Sequence, residues 1–424
     1  MTVEISLVKT YNLTTSAPPS TFIIMTVLYV VGQYYILEFV GRKLEVMGVK
    51  GVFQVTVHKI VKLLQYLISI ILVVLSLQMI TTSHYDSFLL ILITTTSYAL
   101  AIFMLGLLTS RFISWFRLNR NVVVLFYGLA SGVLSINAAI TLAFVYGPFL
   151  NLPKEIKPNL QEVYYLPIPG SVEYLLNSAY TISSIISFIL TWVATVLLLH
   201  SYTRKFGRIK YWIIVTLPLI YFLSQFPSFS LNLFASLLNT DPVFYGIFLS
   251  VVFIVSKAAG GILFGIAFWL IARTISRDNV VRQYLIIAAV GFVLLFVSDQ
   301  APVLTNAPYP PLGLASISFM GLASYLILIG IYSSAISVSE DSKLRQTIRG
   351  LTSKEPKLLD SIGSAHMEQE IQKKVLEFTK RNKDRMAEET GIQSSLTEED
   401  MKSYLQEVIK EIQNARRGNN NHHK

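Results

Sequence analysis

Cysteine is absent from the 424-residue chain, which excludes a disulfide framework, thiolate metal ligation and a cysteine nucleophile. Charge is also scarce. Only 14% of the residues are Asp, Glu, Lys or Arg, whereas a soluble globular domain carries about 25%. An ordinary soluble domain, or a pair of them, is excluded on that ground. Histidine occurs six times, at 58, 84, 200, 366, 422 and 423, with no HExxH arrangement. GxSxG and GxxxxGK[ST] are missing too, so the common hydrolase and phosphate-cradle signatures are lacking. No metal site and no cofactor are expected, and a non-enzymatic role is favoured over an enzymatic one.

What the chain has in abundance is apolar sequence, 53% of its residues. It falls into nine stretches near the ~20 residues that cross a hydrocarbon core of about 30 Å. They cover roughly 21–41, 60–80, 87–110, 121–146, 174–201, 211–230, 245–272, 283–301 and 314–336. The expected fold class is all-α: a polytopic membrane helix bundle of about nine transmembrane helices with a C-terminal cytoplasmic helical tail. The corresponding divisions are an extracytoplasmic segment 1–20, a transmembrane domain 21–339, a helical tail 340–417 and a disordered end 418–424.

The net charge of +10 reads as topology once it is located. Residues 1–339 hold 19 Lys and Arg against 10 Asp and Glu, and the tail is nearly balanced. With nine spans, fifteen of those nineteen basic residues fall in or beside the connections on one side, for example Arg42, Arg111, Arg117, Arg120, Arg208, Arg273 and Arg282. The positive-inside rule makes that side cytoplasmic, with the N-terminus outside the cell membrane and the C-terminus inside. Thirteen of the fifteen prolines fall on the other side, stiffening the outer connections. Trp115, Trp212 and Trp269 lie near the basic side, where an interfacial aromatic belt is expected. The first span lacks the basic stretch before it that a cleavable signal peptide carries. Asn12-Leu13-Thr14 matches a glycosylation sequon on the outer side. The bilayer is the main partner; the basic residues fit topology and anionic lipid, and nucleic acid is not expected.

An ionisable side chain inside a span is costly and therefore a functional candidate. Lys257 and Asp299 lie on successive spans. Counted at 1.5 Å per residue from Arg273 and Arg282, both sit about 24 or 25 Å above the basic side, so an ion pair is expected. That pair is either structural or part of a ligand or ion pathway. Gln33 and Asn137 are deep but uncharged, and Glu38 and His200 lie about one turn from basic residues. Pro218 is expected to kink the sixth span. Gly128 with Gly132, and Gly261 with Gly265, have the spacing that lets helix backbones approach.

In the tail, the ninth span is expected to run on to about Arg349, with a second helix over 365–389 carrying Ile371, Val375 and Phe378 on one face. A third helix, opening at Thr397, would carry an apolar seam of Met401, Leu405, Val408 and Ile412. Such a seam serves self-packing, or docking to a protein partner or a second copy. Three functions fit: a receptor, sensor or scaffold with a rigid proline-rich outer face and an interacting tail; a secondary transporter or channel using Lys257 and Asp299; or a structural subunit of a membrane complex.

Overall fold

The computed structural model describes residues 19–46, 52–150, 154–157, 170–200, 207–224, 242–276, 279–299, 304, 309–341 and 358–390. Asn12 and the seam of Met401, Leu405, Val408 and Ile412 lie outside the described residues. The helices are α1 (Pro19–Val46), α2 (Val52–Thr82), α3 (Ser87–Asn119), α4 (Val122–Leu150), α5 (Val172–Leu199) and α6 (Arg208–Leu223). They continue with α7 (Pro242–Thr274), α8 (Val280–Ser298), α9 (Leu312–Ile317), α10 (Phe319–Glu340) and α11 (Leu358–Thr390). Among the described residues, eight segments are long and apolar enough to cross a membrane, with α9 and α10 counted as one. The protein is an all-α, multi-pass membrane helix bundle. One short strand pair, β1 (Tyr85–Asp86) with β2 (Glu155–Ile156), ties the start of α3 to the connection after α4.

The helices run past the apolar stretches that signal them. α2 begins at Val52 rather than near 60, and α3 continues to Asn119, so His58, Arg111 and Arg117 sit on helices. Two residues suffice to reverse the chain after α3. Arg120 adopts φ 43°, ψ 35° and donates its N–H to Phe116 O, while Asn121 Oδ1 caps α4 by accepting from Val123 N at 2.8 Å. The expected sixth span, 211–230, corresponds to α6, whose 16 described residues measure about 24 Å. Residues 225–230 of that span lie outside the described residues.

α10 does not reach Arg349. It stops at Glu340, where Asp341 turns extended (φ −96°, ψ 103°) and its N–H returns to Ser337 O. The polar run Ser337–Asp341 accounts for the stop. Ser339 Oγ donates to Ile336 O at 2.7 Å, and such side-chain bonds to the backbone compete with continued helix.

α10 is the axis of the bundle. It packs most extensively on α8, then on α3 and α11, and touches α1 and α2. Gly330 makes the α8 contact close: a Cβ there would stand 2.6 Å from both Ala288 N and Tyr284 O. Gly291 of α8 does the same from the other side, 2.8 Å from Ile327 N. Of the glycines expected at helix contacts, Gly261 and Gly265 of α7 face the α8 backbone at Val293 O and Ala289 O. Gly128 and Gly132 of α4 face Phe112 and Thr109 of α3. All four meet helices of the same chain.

The ends of α3 and α10 and the starts of α2 and α8 gather at one end of the bundle, here termed the basic end for its Arg111, Arg117, Arg120 and Arg282. Trp115 is not an interfacial belt residue there. It is fully buried, stacked on Tyr332 of α10 and edge-on to Phe112. The reason is α11, which covers this end. Leu358, Leu359, Ile362 and Ala365 join the core, and Gly363 seats against Val338. Asn121 Nδ2 donates to Ser361 Oγ at 2.5 Å and Asn119 Nδ2 to Ser361 O at 3.1 Å. Gln369 Nε2 donates to Ser114 Oγ, and His366 meets the Tyr332 ring edge-on. The helix therefore starts seven residues before the expected 365, and its docked face differs from the expected one. Ile371 and Phe378 are 46% and 67% exposed.

Candidate functional site

Lys257 and Asp299 meet inside the bundle. Below Lys257, the run Ala258-Ala259-Gly260-Gly261 lets α7 close onto its neighbours: Gly260 faces the ring of Phe188 on α5, and Gly261 faces Phe296 and Val293 on α8. Phe188, Phe264 and Phe296 pack edge-on or tilted in this layer, and the close approach brings Lys257 within reach of both partners. α8 ends at the same level, so Asp299 occupies its C-cap position (φ −77°, ψ 70°) with the carboxylate turned toward α7. Lys257 Nζ donates to Asp299 Oδ2 at 2.5 Å and to Tyr180 Oη at 2.8 Å. The two charged side chains are only 5% and 9% exposed.

The centre is not fully satisfied. Asp299 Oδ1 and the hydroxyl of fully buried Tyr98 have no hydrogen-bond partner among the described residues. Tyr98 of α3 lies within electrostatic reach of both Asp299 and Tyr180. Breaking a buried pair leaves one uncompensated charge, at a cost of about 3–5 kcal/mol, whereas the intact pair contributes little net stability. A carboxylate oxygen and a phenol left over beside such a pair give it capacity to accept a proton or a small polar molecule.

Of the other polar residues noted in the sequence, Gln33 and Asn137 are helix contacts. Gln33 Nε2 donates to Ser69 Oγ at 2.8 Å, and Asn137 Nδ2 to Ser183 Oγ at 2.8 Å. Glu38 pairs with Arg42 one turn on, at 3.0 Å and exposed. Pro218 lies within α6. In the preceding turn, Val215 O accepts from Trp192 Nε1 at 2.8 Å, and Tyr211 Oη returns a bond to Val196 O at 2.8 Å, which fastens α6 to α5.

Sequence reasoning missed three polar groups of α2, two of them buried and one, His58, partly buried. Gln54 Nε2 donates to Ser333 Oγ at 3.1 Å, His58 Nδ1 shares a 2.8 Å bond with Tyr325 Oη, and Gln65 Oε1 accepts from Tyr29 Oη at 2.6 Å. Their spacing of four and seven along one helix face was the available signal.

The fold and this centre define a multi-pass helical membrane protein with a buried charge pair. Comparison with protein-family models, with curated proteins and with solved structures finds no match.

Proposed function

We propose that the chain is a membrane receptor or sensor, in which the Lys257–Asp299 centre is the responsive element and the tail helix α11 is the output. The supporting observation is that α10 packs without slack on α8, the helix whose end carries Asp299, and on α11. It meets α8 through Gly330 and Gly291, and it meets α11 through Val338 and Gly363. A shift of α8 that follows a change at Asp299 therefore has to be accommodated by α10, because packed interiors transmit strain. The gathering of fifteen of the nineteen basic residues of 1–339 on one side supports a cytoplasmic location for the basic end and for α11, with the proline-rich end and the N-terminus outside. On this reading α11 presents its unpacked portion, including Ile371 and Phe378, to a cytoplasmic partner. Hydrogen exchange in α11 that responds to substitution of Asp299 tests the coupling.

A second reading, ion-coupled transport, is supported by the unpartnered Asp299 Oδ1 and Tyr98 hydroxyl, since intramembrane carboxylates commonly mark ion and proton paths. Proteoliposomes separate the two. A transporter dissipates an imposed proton or sodium gradient in a way that Asp299→Asn abolishes, whereas a sensor leaves the gradient standing.

A further inference from the structure

We infer that a water file runs from the basic end along the α2–α10 seam and delivers protons to the Lys257–Asp299 centre. This holds whether that centre senses or transports. Polar side chains mark the route in order. At the basic end, Gln54 of α2 bonds Ser333 of α10, and one turn further His58 bonds Tyr325. Beyond them Gln65 accepts from Tyr29, whose hydroxyl also lies 3.4 Å from Ser318 O. Gln33 of α1 reaches Ser69 on the next turn of α2. Ser318 O lies 3.4 Å from Ser97 Oγ, which donates to Ile317 O at 2.7 Å. Tyr98, the next residue, lies within electrostatic reach of Asp299. From Ser333 to Ser318 the file climbs fifteen residues of α10, about 22 Å, most of a hydrocarbon core.

Water is assigned to this seam because the protein leaves its polar atoms incomplete there. Gln54 and Gln65 are 1% and 0% exposed and Gln33 is 1% exposed, yet Gln54 Oε1, Gln33 Oε1 and Gln65 Nε2 find no partner among the described residues. Asp299 Oδ1 and Tyr98 Oη, at the far end, complete the series. Each such atom in an apolar interior costs several kcal/mol unless it is bonded, and water is the one partner small enough to bond them all. Along α10 the steps from Ser333 to Tyr325 and from Tyr325 to Ser318 rise about 12 Å and about 10 Å, each of which about three or four waters at hydrogen-bond spacing bridge. His58 is only partly buried and opens the file at the basic end.

The absence of cysteine makes the test free of background. Ser333→Cys, Ser69→Cys and Ser97→Cys place single thiols along the file with little change in volume. Ser187→Cys of α5 is equally buried but off the file, and Leu63→Cys faces the apolar exterior. Each variant is prepared in oriented membrane vesicles, challenged with silver ions from the basic side, and then unfolded and titrated for remaining free thiol. Thiols react as thiolates, which need water, so the three file positions should react about a hundredfold faster than Ser187→Cys and Leu63→Cys. Folded yield by size exclusion confirms that each variant retains the bundle. File positions no faster than the two controls, when silver is added from the basic side, would overturn the inference.

Discussion

Lys257 Nζ stands 2.5 Å from Asp299 Oδ2 and 2.8 Å from Tyr180 Oη, so one ammonium links the middle of α7 to the end of α8 and to α5. Neither charge has another ionic partner among the described residues. Lys257→Ala alone should therefore destabilise the protein by about 3–5 kcal/mol, read as a lower melting temperature in mild detergent. Lys257→Ala combined with Asp299→Ala should recover most of that loss, because no buried charge then remains. Additive losses in the double variant would count against the pair acting as a unit.

The α8–α10 contact has no room for a methyl group. Gly330→Ala places a Cβ 2.6 Å from backbone atoms of Tyr284 and Ala288, which cannot yield as a flexible side chain would. The expected cost is about 1–3 kcal/mol. Gly106→Ala is the comparison, since its nearest neighbour is Ser135 Oγ at 3.9 Å and helix propensity favours the alanine. Thermal melts of the two variants should move in opposite directions.

His366 makes the docking of α11 pH-dependent. Burial against the bundle holds its pKa below the usual 6.5, with Arg111 adding to the depression and Glu370 opposing it. The imidazole also faces the Tyr332 ring. The undocked helix binds a proton near pH 6.5, while the docked helix binds it only at lower pH. Docking thus keeps its full strength above about pH 6.5 and weakens as pH falls from there toward the depressed value, below which the loss is complete. Amide exchange over Leu359–Ala365 should accelerate through that window, and His366→Phe should remove the dependence. An unchanged pH profile in His366→Phe would assign the effect elsewhere.

The docked face of α11 can be disrupted without touching the membrane helices. Ile362→Asp buries a carboxylate among the core residues at the basic end and should release the helix, leaving α11 open to protease while the bundle still elutes as a folded species. Phe378→Asp, at a 67% exposed position, should leave docking unchanged.

Much of this was legible in the sequence, and for physical reasons. Hydrocarbon thickness fixes the length of an apolar run, so the membrane bundle and most of its spans follow from hydropathy alone. Lys257 and Asp299 stood out because a charge is rare in such a run, and helix rise placed them at equal depth. Gln54, His58 and Gln65 did not stand out: amides and a histidine inside a long apolar helix give a weak signal, and residues before 60 read as a basic connection. The start of α11 was hidden for a different reason. Ser361, Gly363 and Ser364 have modest helix propensity, and the segment gains its helix by burying Leu358, Leu359 and Ile362 on a surface that only the assembled bundle provides. Trp115 was misplaced for the same cause, because nothing local announces that α11 covers it.

The central claim is that the charge centre and the tail helix are coupled through α10, and hydrogen exchange tests it most directly. The full chain in lipid nanodiscs is compared with Asp299→Asn, following amides of Leu359–Ala365. A coupling of ordinary size predicts exchange in that segment about five- to a hundredfold faster in the variant. Exchange over Leu359–Ala365 that stays at the wild-type rate, in a variant whose membrane helices remain folded, would contradict the account.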